Sequence, residues 1–512
     1  MKYIFTFIFS FEILFAQKFF QKNFELNSNQ TSPILSNSVT QIKNRDSLGK
    51  KFIWFGTSKG LSKSENGNPF LNYNTNSAFK HNAIFSLSIL GDTIWTSLGY
   101  MKMLDNNEIQ TGGGYVYSID NGTNWNYLEQ SLDNRNDDTI QYGNNFLKIL
   151  PVVVPEQNVT FDLSISQNGT VWTTSWAGSL RRLKHYDSTW ERILLPPDNL
   201  NKLHSDSTYD FYYDVRPLNN LKTFSVLAID DSTVWCGTAN GINKSNNANT
   251  KFPSWTHITH ENQVEGILGN WVIAIDKQEF VRNDSLIKKI WCTNWVAESN
   301  YENYGVSFTE NNGTSWKTLL HGTKSYDFAF KGQTIFIATE EGLFRSIDDG
   351  KTFSKTNLIK DSLGNQITTN AVYSVDVVNN TVFIGTSDGL AKTIDNGGTS
   401  FGEVWTIYRT YENVENKGQT YNYPNPFSPN FEITRIHYTT DEAINITIEI
   451  FDFEMNKIKA LIQNAQRNSY SEYDEIWNGT NDDNSVVANG VYFYKITFDN
   501  KTSSWGKILV LK

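Results

Sequence analysis

The sequence is short of cysteine, of base and of long apolar runs, and each shortage excludes a class. Two cysteines in 512 residues cannot form a disulfide framework. Cys236 and Cys292 each follow a tryptophan, Trp235 and Trp291, at matching positions of a repeat. Matching positions point the same way, so the two sulfurs do not face each other and both are expected as free buried thiols. Lys and Arg total 44 against 54 Asp and Glu, a net charge of −10. That balance lacks the basic footprint of a nonspecific nucleic-acid binder, so no nucleic-acid partner is expected. After the first sixteen residues no apolar run reaches the ~18 needed for a membrane helix, so no membrane-spanning segment is expected. Charged residues make up 19% and hydrophobic ones 39%, which fits neither a charge-rich disordered chain nor a membrane bundle. Histidine is scarce as well: His257 and His260 stand close together without a third ligand, and Asn481-Asp482-Asp483 reads as a solvated turn rather than a calcium loop. No metal and no cofactor are expected.

What the chain has in quantity is aromatic residues, 14% of the total, which suits a β-rich fold. Its length allows two to four domains, or one large repeat domain and a small one. The start reads as an export signal. Lys2 supplies the positive charge, Tyr3 to Phe15 the apolar stretch, and Ala16 the site before Gln17. Residues 1–16 are therefore predicted to be a cleaved signal peptide, with 17–34 an N-terminal segment. No cysteine follows the apolar run, which excludes a lipid-anchored lipoprotein.

One phrase then recurs seven times: an apolar alternating run, a polar turn, and a β-branched residue followed by an aromatic, with a small residue and Thr or Ser shortly after. The aromatic anchors are Trp54, Trp95, Trp172, Trp235, Trp291, Phe336 and Phe383, spaced 41 to 77 residues apart. Alternating segments such as Ile84–Leu90 and Phe224–Ile229 precede them, joined by turns such as Gly91-Asp92 and Asn379-Asn380. This is hairpin grammar. Gly turns and a third strand follow in Lys59-Gly-Leu-Ser-Lys-Ser, Asn240-Gly-Ile-Asn-Lys-Ser, Glu341-Gly-Leu-Phe-Arg-Ser and Asp388-Gly-Leu-Ala-Lys-Thr. Four short strands per repeat make a propeller blade, and closing the ring removes the unpaired ends. The predicted fold class is all-β: a seven-bladed β-propeller over 35–412 and a small Ig-like β-sandwich.

A second motif overlays the first. Ser118-Ile-Asp120-Asn-Gly122-Thr-Asn-Trp125, Thr309-Glu-Asn311-Asn-Gly313-Thr-Ser-Trp316 and Ser346-Ile-Asp348-Asp-Gly350-Lys-Thr-Phe353 share one pattern, and Thr393–Phe401 is a looser copy with one extra residue. Asx side chains bond nearby N–H groups, Gly takes a positive φ, and the aromatic pins the turn to the blade. These segments resemble the Asp-box of BNR-type propellers, found in sialidases, sortilin-like receptors and some glucanases. The phrase Trp-x-Gly-Thr-x-x-Gly-Leu resembles the two-component-regulator propeller repeat. The resemblance implies that the boxes lie at the blade periphery with a structural role.

After Trp405–Thr410 the repeats fade, and 413–422 is expected as a linker. Tyr423-Pro-Asn-Pro-Phe-Ser-Pro429 follows, with three prolines that forbid helix. In Ile444–Ile450 every other residue is Ile, so one face packs and the other is wet. Val491–Phe498 and Lys507–Lys512 close a set of some seven short strands. Residues 423–512 resemble the FlgD-like Ig domain and the type IX secretion (type A) C-terminal sorting domain. The motifs are Tyr423–Phe427, Ile450-Phe-Asp452, Trp477-x-Gly479, Asn489–Tyr494 and Gly506–Lys512. Met455-Asn456 stands where that family usually carries Gly. The resemblance implies export to the periplasm and passage across the outer membrane, with the type IX machinery as partner and a secreted or cell-surface destination.

For chemistry, a sialidase needs an arginine triad and a Tyr/Glu pair. Arg is scarce, and Arg192-Ile-Leu-Leu-Pro196 sits mid-propeller where no such segment belongs. A glucanase needs paired carboxylates about 5–10 Å apart, which spacing in sequence cannot place. No catalytic residue is assigned. Asn121-Gly-Thr and Asn168-Gly-Thr match a glycosylation pattern but read as turns. Insertions carrying Gly112–Gly114, Asp133–Asp138 and Pro196–Asn220 are expected on a propeller face, with Tyr209, Phe211, Tyr212 and Tyr213 as a candidate binding loop. Two functional classes stay open: a non-catalytic surface propeller binding a protein or glycan, and a secreted glycoside hydrolase or lyase. A sensor domain is a third reading, without a kinase region or membrane helix to support it.

Overall fold

The computed structural model describes residues 34–47, 50–65, 70–105, 107–185, 187, 189–356, 358–362, 366–410, 420–430, 433–469, 471–499 and 501–512. The expected signal peptide, nearly all of the N-terminal segment and most of the linker lie outside the described residues. Among the described residues the structure is β, with one 3₁₀ turn at Asn219–Leu221, and no helix is long and apolar enough to cross a membrane. They fall into two units: 34–366 with 371–410, and 367–370 with 420–512.

The first unit is a β-propeller. Seven antiparallel sheets follow one another along the chain, and in each the four consecutive strands pair in sequence order. Their first strands are Val39–Ser47, Ala83–Leu90, Thr160–Ile165, Thr223–Ala228, Ile275–Arg282, Ser325–Lys331 and Ser374–Val378. The fourth sheet gains a fifth strand, Lys202–Leu203, on its outer edge beside Trp255–Ile258. First strands of consecutive sheets lie against one another, except that Ser325–Lys331 of the sixth sheet meets the fifth sheet's second strand, Ser285–Asn294; Ser374–Val378 lies against Val39–Ser47, so the set closes. At the closure Val39 N–H donates to Thr386 O (2.9 Å) and Gly389 N–H to Asn37 O (2.8 Å).

The second strand of each sheet carries the anchor aromatic, and all seven anchors are buried, from 0% to 7% exposed. The reason lies in the next sheet. Trp125 of the second sheet meets Trp54 of the first (ring centroids 5.9 Å), and Trp190 of the third meets Trp95 of the second (6.3 Å). Trp316 of the fifth meets Trp235 of the fourth (6.1 Å), and Phe401 of the seventh meets Phe336 of the sixth (5.7 Å). In these four pairs a large ring fills the space over the neighbouring sheet's anchor, which is the packing that a lone twisted sheet cannot supply. Cys236 and Cys292 are buried free thiols, and burial pushes both thiol pKa values up, so neither is an activated nucleophile.

The second unit holds seven strands in two sheets. Thr420–Tyr423, Thr434–Thr440 and Ser471–Trp477 form one, and Lys457–Arg467, Ile444–Phe451, Gly490–Phe498 and Thr502–Val510 the other. The first of these strands begins inside the stretch expected as linker. Its residues are drawn into pairing by Thr434–Thr440, with Asn422 opposite Ile436. The alternation of Ile444–Ile450 is realised in space: Ile446, Ile448 and Ile450 are fully buried in one core with Ile436, Trp477 and Tyr494. At the Met455-Asn456 turn Met455 itself adopts φ 65°, and Asp452 Oδ1 accepts N–H bonds from Glu454 (2.9 Å) and Asn456 (2.8 Å). An Asx turn holds the shape that Gly would have given.

Candidate functional site

The first strands line a central channel, and most of them share one irregularity. In the first, second, third, fourth and sixth sheets the register slips by one residue, leaving Thr40, Phe85, Phe161, Phe224 and Tyr326 as the extra residue. Such a bulge re-aims a side chain. Phe85, Phe161, Phe224 and Tyr326 all line a cavity of about 80 Å³ in the channel. Phe161 stacks on Phe224 (5.2 Å), and the series continues through Trp271, Trp295 and Tyr326 to Tyr373 at 5.3 to 5.8 Å per step. The rings form a continuous belt over the third to seventh sheets.

Below the belt the lining is charged. Lys43, Asp162, Asp276 and Asp327 face the same cavity. Burial pulls the Lys43 ammonium down, but the combined attraction of Asp327, Asp276, Asp376 and Asp162 outweighs it and holds the pKa above the ordinary lysine value. Burial acts in the opposite sense on the acids. It raises Asp276, and it pushes Asp376 up to about 6 despite the nearby Lys43 and the N–H bonds it accepts.

These acids also join sheets. Asp162 Oδ2 accepts the Val226 N–H of the next sheet (2.9 Å), and Asp327 Oδ2 accepts Val375 N–H (3.2 Å). Asp376 accepts both Asn44 N–H (2.5 Å) and Asn44 Nδ2 (2.7 Å), across the ring closure. Asp276 takes Lys277 N–H of its own strand (2.7 Å). An innermost strand has one edge without a ladder partner, and its N–H groups need acceptors. The carboxylates supply them.

The channel residues were not singled out in the sequence, though a signal exists. Lys43, Asp276 and Asp376 each stand directly opposite an anchor, Trp54, Trp291 and Phe383, while Asp162 and Asp327 stand two residues before the position that faces Trp172 or Phe336. Alignment of the repeats on their anchors would have put five charged side chains on one level or the next.

The three regular Asp-boxes have one geometry. In the first, Ser118 Oγ donates to Asp120 Oδ1 (2.8 Å) and accepts Gly122 N–H (2.8 Å), while Asp120 Oδ1 accepts Asn124 N–H (2.8 Å). Thr309, Asn311 and Gly313 repeat these contacts, as do Ser346, Asp348 and Gly350. N–H and side-chain donors hold Asp120 and Asp348 down at about 2. Trp125 and Trp316 cover the anchors of the preceding sheets, and Phe353 packs in the cluster of Trp291. Lys63 and Lys244, in the third strands of those preceding sheets, donate to Asn121 O (2.8 Å) and Asn312 O (3.1 Å) of the boxes. The fourth sheet has a further copy without the glycine: Ser245 Oγ donates to Asn247 Oδ1 (3.1 Å), which also accepts Ser254 N–H (2.8 Å). Sequence reading passed over it because Asn249 stands in place of Gly.

The insertions fold onto the third and fourth sheets around one apolar cluster. Tyr213 is fully buried there, its hydroxyl 3.1 Å from Ser179 Oγ. Tyr209 is partly buried, its hydroxyl accepting His204 N–H (2.9 Å), and Phe211 packs beside it (6.0 Å). Tyr212 is 49% exposed. Of the four aromatics only Tyr212 offers a largely open ring. Asp133, from the acidic run, sits between the buried guanidiniums of Arg181 (2.7 Å) and Arg192 and accepts Val152 N–H (2.7 Å). Among the described residues no group of three His, Cys, Asp or Glu side chains could hold a metal ion.

No protein-family model matches the chain, and no curated protein does. Solved propeller structures do resemble it. PorZ, a surface component of the type-IX secretion system of Porphyromonas gingivalis, aligns at 14% identity and TM-score 0.36 over 90% of this chain and 64% of that one, so this chain spans less than two thirds of PorZ. YCF48 from Cyanidioschyzon merolae aligns at 15% identity and TM-score 0.41 over 72% of this chain and 98% of that one. The extracellular domain of the putative hybrid two component system BT3049 from B. thetaiotaomicron aligns at 12% and TM-score 0.31, covering 92% and 72%.

Proposed function

We propose that this protein is an exported, non-catalytic seven-bladed propeller that binds a protein or glycan at the cell surface. Its C-terminal seven-strand unit is an Ig-like sorting domain read by the type IX machinery, as the motifs Tyr423–Phe427 and Gly506–Lys512 suggest. The observation that carries the non-catalytic reading is the use made of the channel acids. Asp162, Asp327 and Asp376 each accept a backbone N–H from the next sheet. A carboxylate tied into the frame is poorly placed to shuttle a proton.

A hydrolase is the second reading, favoured by one observation: Asp376 is held at about 6, the range of a general acid. The two are separated by incubating the purified chain with a panel of polysaccharides and following new reducing ends, with pull-down of surface proteins in parallel. Binding without release supports the propeller as a recognition module. Release from any substrate overturns it. The sorting role is tested by deleting 423–512 and following secretion of the remainder; unchanged secretion overturns it.

A further inference from the structure

The channel cavity joins two features that favour the same kind of ligand. The first is charge. Asp162, Asp276 and Asp327 line it, Asp376 acts on the same lysine, and Lys43 is the one cation among the lining residues. The site therefore carries a surplus of negative charge inside low-dielectric walls, which concentrates a cation and repels an anion. A carboxylate offers about four acceptor positions, whereas the hydrogen bonds described for Asp276 and Asp327 use one each.

The second feature is aromatic. The four bulges that put Phe85, Phe161, Phe224 and Tyr326 into the cavity are separate departures from regular pairing. Aromatic faces attract an organic cation and do so more strongly when water is excluded. The carboxylates stand on different sheets, and no three of the described acids converge as metal ligands would. A bare divalent ion is thus a poor match. A neutral sugar would leave the charge surplus unanswered.

We propose that the channel binds one organic cation, a protonated amine or a guanidinium. The proposal rests on the reading of the propeller as a recognition module and names the chemistry it recognises. The cation comes either from a lysine or arginine side chain of a partner protein or from a free small amine.

The test uses the full chain and isothermal titration. Butylammonium, butylguanidinium and neutral butanol are compared with an acetylated tetrapeptide containing lysine and its norleucine analogue. The expected result is binding of the cations and of the lysine peptide, with butanol and the norleucine peptide at least tenfold weaker. Asp276→Asn is expected to weaken the cations about tenfold, equivalent to ~1.4 kcal/mol, and Phe161→Leu to weaken them independently, each in a chain whose melting temperature is unchanged. A tighter lysine peptide than butylammonium assigns the cation to a partner protein; equal affinity assigns it to a free amine. Equal binding of charged and neutral probes, no binding of either cation by the folded chain, or cation binding untouched by both variants overturns the proposal. Release of reducing ends in the separate polysaccharide assay would instead overturn the recognition-module reading, so the two failures are distinct.

Discussion

Arg345 grips both carboxylate oxygens of Asp395 across the boundary between the sixth and seventh sheets, Nε at 3.0 Å and Nη2 at 2.5 Å. Both side chains are almost fully buried, at 1% and 2% exposure. The pair explains why the looser Asp-box departs from the others. Its aspartate turns to the neighbouring sheet's arginine, and Arg345 Nη1 also donates to Gly398 O (2.8 Å). Lys63 and Lys244, in the third strands of their own sheets, donate to a box carbonyl. Removing one partner of a buried bidentate pair leaves an uncompensated charge. Asp395→Asn should cost about 3–5 kcal/mol. The double change Arg345→Met with Asp395→Leu should cost clearly less than Asp395→Asn alone, measured by urea unfolding. Equal losses would show that the pair's charge is not what matters.

Asp376 gives a pH signature. Its folded pKa of about 6 lies above the ordinary value of 3.8, so folding favours its protonated form. That contribution is fully present below about pH 4 and is lost as pH rises through 6. Relative to Asp376→Asn, the wild-type chain should therefore lose stability between pH 4 and 6, on the order of 2 kcal/mol. Asp120 and Asp348, held low, act in the opposite sense and only below pH 4, so they do not mask it. Unfolding free energies of both proteins at four pH values test the slope; parallel curves would refute it.

Gly122 is where a regular Asp-box touches the anchor of the preceding sheet. It has φ +81°, and a methyl group there would stand 2.5 Å from Trp54 Cη2. Gly397 of the looser box has φ +76° with nothing within 4 Å. Gly397→Ala should therefore cost only the left-handed strain, about 1–2 kcal/mol. Gly122→Ala should add an overpacking cost of roughly 1–3 kcal/mol. Thermal melts of the two variants give the difference directly. Equal shifts would mean that the box does not lock the first two sheets together.

Met455 holds φ 65° on an exposed turn, half-exposed itself. Replacement by Gly should relieve that conformation and stabilise the second unit by about 0.5–1 kcal/mol after the cost in chain entropy. Met455→Val, β-branched, should destabilise it by more. Hydrogen exchange of the Ile444–Phe451 strand reads the change within the full chain. Slower exchange is expected for Gly and faster for Val.

Much of this was legible in the sequence. The seven anchors, the three regular boxes and the isoleucine alternation of 444–450 are local patterns, set by the period of a strand and the chemistry of a turn. They sufficed for an all-β propeller and for a strand-rich C-terminal unit. Where local rules were bent the reading thinned. The box at Ser245–Asn247 lacks its glycine, and the strand at Thr420–Tyr423 was hidden in a polar stretch because its partner, Thr434–Thr440, supplies the reason to be extended. For Tyr213 the sequence left exposure and burial equally open, and the insertions close over it.

The channel as a site belongs to the tertiary structure. Alignment of the repeats sets Lys43, Asp162, Asp276, Asp327 and Asp376 at related levels of their strands, but only the closed ring makes them act on one another. Ring closure brings first strands from distant repeats side by side, and bulges turn Phe85, Phe161, Phe224 and Tyr326 inward. Sequence by itself determined which residues bury and which turn, since those depend on neighbours a few positions away. The site's charge and its walls were decided by pairings across hundreds of residues, because electrostatic energy depends on distance in space and on exclusion of water, and both exist only once the ring is closed.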